Sequence, residues 1–162
     1  NNAGQSKAEP LMEITPESFS SVVSTNLDGT FFGCQVLGAY FAERGYGRIV
    51  NIASLAGQNG GTATGAHYAA AKGAVATLTK VFARELAPHG VTVNAVSPGP
   101  QDLPVVRELV GPENLDRLKA SIPVGRLGRP EFIADMVVLL VSEHADTVTG
   151  ACWDANGGLY MR

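Results

Sequence analysis

Two short apolar runs constrain this chain more than any other feature. RIVNIA at 48–53 and VTVNAVS at 91–97 are partly β-branched, and the second is cut off by Pro98 and Gly99. A strand wetted on one face alternates apolar and polar residues, whereas a strand covered on both faces reads as a near-continuous apolar run. Both runs therefore belong inside a sheet with something packed on each side. The covering material is helical. TPESF at 15–19 offers Thr15 as N-cap and Pro16 at the first helical position, and apolar residues continue to Arg44 before Gly45 stops the helix. A Gly/Thr-rich loop, GQNGGTATG at 57–65, leads into a helix from about Ala66 to Ala87. PEFIADMVVLLVSE at 130–143 forms another, and ACWDA at 151–155 a last short strand before Gly157 and Gly158. Between residues 99 and 130 the pattern is less regular and reads as a mobile segment. Helix and strand alternate throughout, which predicts an α/β fold, a parallel sheet with helices on both faces. No internal repeat or dividing linker interrupts residues 1–162, so one domain is expected.

The chain has 162 residues, 45% hydrophobic and 17% charged, the balance of a globular protein with a real core. A net charge of −3, with no Lys/Arg-rich stretch and no Cys/His finger spacing, argues against a nucleic-acid partner and favours a small ligand. Cys34 and Cys152 lie far apart in apolar segments, the pattern of buried thiols in a reducing compartment. The run MVVLLV at 136–141 is too short to span a bilayer, and NNAGQSKAEP lacks the basic and apolar regions of a signal peptide, so a cytoplasmic protein is expected. His67, His89 and His144 are dispersed, without carboxylate or cysteine partners at ligand spacing, and no metal site is expected.

Tyr68 and Lys72 sit four apart in AHYAAAKGA. At helical periodicity Val75, Leu78, Phe82 and Leu86 form the stripe that faces the sheet; Tyr68 projects onto it and Lys72 onto its edge. A lysine aimed toward a core is costly unless it is paired or lines a cavity. Tyr40 and Arg44 share the spacing, yet Arg44 simply ends a helix where a cation suits the dipole, so spacing alone leaves a structural pair open. The chemistry open to such a pair is specific. Lowering a tyrosine pKa from about 10 to about 7 takes roughly 4 kcal/mol. An ammonium about 4 Å away supplies on the order of 4 kcal/mol at an effective dielectric near 20. Tyr68 could then exchange a proton with a hydroxyl while Lys72 stabilises its phenolate.

The order of the surrounding motifs carries more weight. NNAG at 1–4, Asn26 in STNLDGTFF, Ser54 closing NIAS, YAAAK at 68–72, NAVSPG at 94–99, and GRLGRPEFIA followed by TGACWDANGG together resemble the short-chain dehydrogenase/reductase family over nearly the whole chain. The resemblance implies a Rossmann-like, doubly wound fold and an NAD- or NADP-dependent oxidoreductase interconverting a carbonyl and an alcohol. It implies that Ser54 steadies the substrate oxygen, Tyr68 is the acid/base, Lys72 also binds the nicotinamide ribose, and Asn26, at a helix irregularity, supports a water-linked proton relay. By the same resemblance Asn1, Ala3, Gly4, Tyr68, Lys72, Pro98, Gly99 and Gln101 line the cofactor.

The same comparison marks departures. No GxGxxG spacing is present to cradle a pyrophosphate, and NNAG follows the family's fourth strand, so about 90 residues, three βα units, are expected to be absent, leaving the choice between NAD and NADP unreadable. Leu103 stands where the family often has a threonine that bonds the nicotinamide carboxamide or phosphate, so either a backbone amide near Gln101 does the holding or cofactor binding is altered. The interval from Ser54 to Tyr68 is one residue longer than the commonest. The ending NGGLYM looks like the 3-oxoacyl-thioester reductase branch, while His89 occupies a position where carrier-protein reductases often place a basic residue. Leu103, Val105, Val106, Leu109 and Val110 are expected to form an apolar lid. The rival reading is a non-catalytic dinucleotide-binding or scaffold protein, supported by Leu103. A homotetramer is expected: the helix over 16–44 is apolar nearly all round, with Phe31, Phe32, Val36, Leu37, Tyr40 and Phe41, and Leu159, Tyr160 and Met161 form a second apolar group.

Overall fold

Three strands, β1 (Gly47–Ile52), β2 (Val91–Pro98) and β3 (Cys152–Ala155), form one parallel sheet in the order β1-β2-β3. The computed structural model describes residues 1–61 and 63–161; Thr62, Arg162 and the side chain of Leu109, one of the expected lid residues, lie outside the described residues. Gly47 pairs with Val91 and Ile52 with Val96, while Ala95 pairs with Cys152 and Pro98 with Ala155. On the far side of β1, the Asn1 nitrogen donates to the Val50 carbonyl at 2.8 Å and the Ile52 N–H donates to the Asn1 carbonyl at 3.0 Å. These are the two bonds of a parallel ladder, so residue 1 lies beside β1 as a strand end does.

Side-chain alternation sends successive residues of each strand to opposite faces. On one face Ile49, Val91 and Val93 pack with Cys34, Ala83 and Leu86 of the helices α2 (Gly29–Arg44) and α4 (Ala66–Leu86). On the other, Val50 and Val96 pack with Met136 and Leu140 of α7 (Pro130–Val141). The continuous apolar reading of the strands is thus explained by helices on both sides. Leu140 is fully buried, and Leu140→Ala is expected to cost about 2–5 kcal/mol, measurable by denaturant unfolding.

Three sequence expectations change. The helix expected over 16–44 is α1 (Pro16–Val23), a five-residue π segment Ser24–Asp28, and then α2. Gly29 N–H reaches back to the Ser24 carbonyl, and two polar side chains make the wider turn tolerable. Thr25 Oγ1 donates to the Ser21 carbonyl at 3.0 Å and Asn26 Nδ2 to the Val22 carbonyl at 2.8 Å, satisfying acceptors that the α ladder would have used. The segment after residue 99 is not irregular: α5 (Pro104–Val110) and α6 (Pro112–Ser121) each start on a proline, and Gly111, at φ 76°, separates them. On α4 the buried stripe is Val75, Thr79, Ala83 and Leu86, with Leu78 and Phe82 only half-buried. Thr79 belongs inside because its hydroxyl donates to the Val75 carbonyl and accepts from Asn51 Nδ2 at 3.0 Å; a hydrophobicity count cannot see that pairing.

Candidate active site

The carboxyl ends of the strands converge. Beyond β1, Ala53 N–H donates to the Val96 carbonyl at 2.8 Å and Leu55 N–H to the Pro98 carbonyl at 2.9 Å, so Ser54 is held beside the end of β2. The short helix α3 (Ala56–Asn59) then turns Ser54 toward α4. Gly57 makes this possible, because a Cβ there would lie 2.5 Å from the Gly73 nitrogen and the Lys72 carbonyl carbon. Backbone meets backbone only where a side chain is absent. Gly57→Ala is expected to push α3 off α4 and lower turnover in the full-length protein at least about tenfold, since displacements on the order of 1 Å are enough to do so.

Ser54, Tyr68, Lys72 and Asn26 are brought to one place. The Ser54 side chain lies close enough to the Tyr68 hydroxyl to act on its pKa as a hydrogen-bonding group. Lys72 is buried, and its Nζ donates to the Ile52 carbonyl at 2.7 Å, so the polar pairing that a core-facing lysine requires is present. Asn26 is fully buried in the π segment; its Nδ2 also donates to the Gln5 carbonyl at 2.9 Å, while Oδ1 has no hydrogen-bond partner. Gly4 closes the cluster, because a Cβ there would stand 3.0 Å from Asn26 Oδ1 and 3.6 Å from Lys72 Nζ.

The electrostatics differ from the simple expectation. Burial pushes the Tyr68 phenol above its ordinary value, and the Ser54 hydrogen bond only partly opposes this. Lys72 Nζ lies 5.8 Å from the Tyr68 ring centre and spends a proton on Ile52, and burial pulls its own pKa down. Burial therefore favours the neutral phenol at Tyr68 over the phenolate.

The other expected residues are spread along the same edge. Pro98 and Gly99 end β2, and a Cβ at Gly99 would lie 2.7 Å from the Asn156 Cα beyond β3. Gln101 is buried and bridges to Gly128; its Nε2 donates to the Gly99 carbonyl at 3.0 Å and its Oε1 lacks a partner. Ala3 and Gly4 are exposed. Asn1 directs its side chain inward, donating to Asn51 Oδ1 at 2.7 Å and contacting Cys34 Sγ at 3.5 Å. Leu103 caps α5 and presents an aliphatic side chain, while Asp102 beside it pairs with Arg107 at 2.6 Å. Among the described residues no three His, Cys, Asp or Glu side chains gather to hold a metal ion, and no helix is long and apolar enough to cross a membrane.

Sequence reasoning missed one group beside Tyr68. Glu9 is bonded to Lys7 at 2.9 Å, to His67 Nε2 at 3.0 Å and to the Ser18 hydroxyl. The Ser18 hydrogen bond, then those from Lys7 and His67, hold its carboxyl at about 2, below the ordinary 4.5. A depressed carboxylate stabilises the fold above about pH 4.5 and loses that contribution as pH falls toward 2. Glu9→Gln should therefore show a small deficit in melting temperature near about pH 6 that closes by about pH 2. A deficit independent of pH would refute the assignment.

Comparison with known proteins bears on the family and the fold. Residues 1–160 match the family model described as enoyl-(acyl carrier protein) reductase. The acetoacetyl-CoA reductase of Rhizobium meliloti (strain 1021) is 43% identical over 163 residues, covering 99% of this chain and 66% of that protein. The (3R)-3-hydroxyacyl-CoA dehydrogenase of Rattus norvegicus is 38% identical, covering 98% of this chain and 61% of the relative. The crystal structure of 3-oxoacyl-[acyl-carrier protein] reductase from Brucella melitensis ATCC 23457 superimposes with a TM-score of 0.94 at 38% identity, over 100% of this chain and 62% of that one. The chain thus spans about two thirds of the length of the relatives it matches.

Proposed function

Because the chain belongs to the short-chain dehydrogenase/reductase family, we propose that it is the larger part of a nicotinamide-dependent oxidoreductase that interconverts a 3-oxoacyl thioester and its 3-hydroxy form. The observation that carries this reading is the convergence of Ser54, Tyr68 and Lys72 at the carboxyl ends of parallel strands, where open α/β sheets bind ligands. The family model's description refers to reduction of a carbon–carbon double bond. Neighbouring Ser54 and Tyr68 hydroxyls suit an oxygen instead, and the relatives' names describe oxo and hydroxy groups.

The residues fit a nicotinamide cofactor in their chemistry. The Gly4 backbone passes close to Asn26 Oδ1 and Lys72 Nζ, where a Cβ would stand 3.0 and 3.6 Å away, and the buried, unpartnered oxygens of Asn26 and Gln101 and the Lys72 ammonium offer acceptors and donors along this edge. Lys72, Gly4, Pro98, Gly99 and Gln101 would line it, with Asn1 and Ala3 at the β1 edge. Bound there, the cofactor supplies or accepts the hydride at the carbonyl carbon. The protein's own part is proton chemistry. Ser54 donates to the substrate oxygen and orients it, and Tyr68 passes its phenolic proton to that oxygen as charge develops. Lys72 then stabilises the phenolate, and Asn26 at the π turn holds the polar route by which the proton is restored.

Since burial keeps the phenol protonated, carbonyl reduction should run at a nearly constant kcat from about pH 6 to 9, while alcohol oxidation rises with pH. Steady-state profiles in both directions test this, and a reduction rate falling steeply across that range would refute it. The decisive assay is turnover by the full-length protein with NADH and NADPH against ketones and 3-oxoacyl thioesters. Absence of turnover throughout would favour a non-catalytic scaffold, a reading to which aliphatic Leu103 lends support. The 162 residues alone offer no phosphate loop, and calorimetry should find no micromolar dinucleotide binding.

A homotetramer in the cytoplasm completes the proposal. The outward face of α2 exposes Phe32, Val36, Leu37 and Tyr40, and an open cleft lined by Leu27, Asp28, Phe31, Ala74, Thr77 and Leu78 lies between the π segment, α2 and α4. An apolar face of this kind is suited to burial against a second copy. Tyr160 and Met161 expose a second group. Sedimentation at micromolar concentration tests the assembly, and a single monomer species would refute it.

A further inference from the structure

The first turn of α4 must satisfy its own backbone donors, and its N-cap, Gly65, has no side chain with which to do so. His67 supplies a second acceptor from within the helix, shared with the Gly65 carbonyl. Its ring is fully buried, and Tyr68 N–H donates to its Nδ1 at 2.9 Å, alongside a 3.1 Å contact with the Gly65 carbonyl. An Nδ1 that accepts carries no proton, so the proton resides on Nε2, which faces Glu9 Oε2 at 3.0 Å. Glu9 is itself fixed by Lys7 and Ser18, and Gly65 N–H donates to the Lys7 carbonyl at 2.9 Å. The imidazole also rests on Gly65, where a Cβ would lie 2.2 Å from Cε1. An unbroken chain of bonds thus runs from α1 through Ser18, Glu9 and His67 to the backbone of Tyr68.

We infer that His67 and Glu9 are a positioning pair for Tyr68: Glu9 selects the imidazole tautomer that leaves Nδ1 as an acceptor, and that acceptor fixes the turn from which the phenol reaches Ser54. The inference rests on the reading of Tyr68 as the proton donor. Both are positioning residues: His67 acts through the backbone N–H of Tyr68, and Glu9 acts through the His67 ring.

Two substitutions separate the ring's two nitrogens. In His67→Asn the side-chain oxygen replaces Nδ1, and in His67→Gln the side-chain amide nitrogen replaces Nε2. In the full-length protein, assayed with a 3-oxoacyl thioester, His67→Gln should lower kcat about tenfold, the effect of sub-ångström misplacement, with both KM values within about twofold and an unchanged melting temperature. His67→Asn should restore most of the loss. Equal kcat in the two variants, or losses that track melting temperature, would overturn the proposal. Should neither histidine variant fold, Glu9→Ala on its partly exposed segment decides: a fall of about threefold in kcat at constant KM is expected, and unchanged kcat overturns the pair. A Tyr68→Phe control distinguishes the failures. With that control inactive, indifferent His67 variants remove the positioning role alone; with it active, the proton-donor reading falls and the proposal with it.

Discussion

Tyr68→Phe in the full-length protein is expected to lower kcat by about 10²–10⁴-fold, the usual contribution of a positioned acid/base, while cofactor affinity stays within about threefold. Phenylalanine keeps the ring and its packing on α4 and removes only the oxygen beside Ser54. The asymmetry between kcat and binding is therefore the informative quantity. Single-turnover kinetics with a 3-oxoacyl thioester, beside a cofactor titration, measures both. Near-normal turnover would sink the mechanism.

Lys72→Met should damage both quantities, lowering kcat/KM by roughly 10²-fold and weakening cofactor binding about tenfold or more, since charge-assisted hydrogen bonds are worth about 1.5–3 kcal/mol each. Its effect on stability should be small. Burial already disfavours the ammonium, as the lowered Lys72 pKa records, and methionine fills similar space; the opposing loss is the bond to the Ile52 carbonyl. A large functional loss without a matching fall in melting temperature is the expected signature. Proportionate losses of activity and stability would mean that Lys72 is a structural residue.

Much of the architecture was legible because it depends on periodicity. The apolar runs at 48–53 and 91–97 could only be strands covered on both faces, and the prolines and glycines at helix ends named their own boundaries. What was not legible depends on contacts between distant residues. Thr79 enters the core because Asn51, on a neighbouring strand, gives its hydroxyl a partner, and no local pattern announces such a pairing. α5 and α6 looked irregular because each is short, although Pro104 and Pro112 were available as start signals. At the site, the serine, tyrosine and lysine stood out by motif, whereas their electrostatics did not. A 4 Å ammonium was assumed, and the folded chain turns Lys72 toward a backbone carbonyl and leaves the phenol protonated by burial. Glu9 and His67 are 58 residues apart, and no local pattern in the sequence announces their meeting.

The π turn at Ser24–Asp28 has a consequence for how this protein can be improved. A π turn holds one residue more than the α turn it interrupts, so deleting a single residue there would restore a regular ladder from Pro16 to Arg44 and relieve Thr25 and Asn26 of capping stray carbonyls. A helix selected for thermal robustness alone would lose that residue. The deletion would also rotate everything before it by about 100° relative to α2, carrying Asn26 and the segment anchored to it through Gln5 away from Lys72. Directed evolution for heat resistance should accordingly tighten α1 and α2 everywhere except at this turn, and variants that straighten it should be the stable, slow ones.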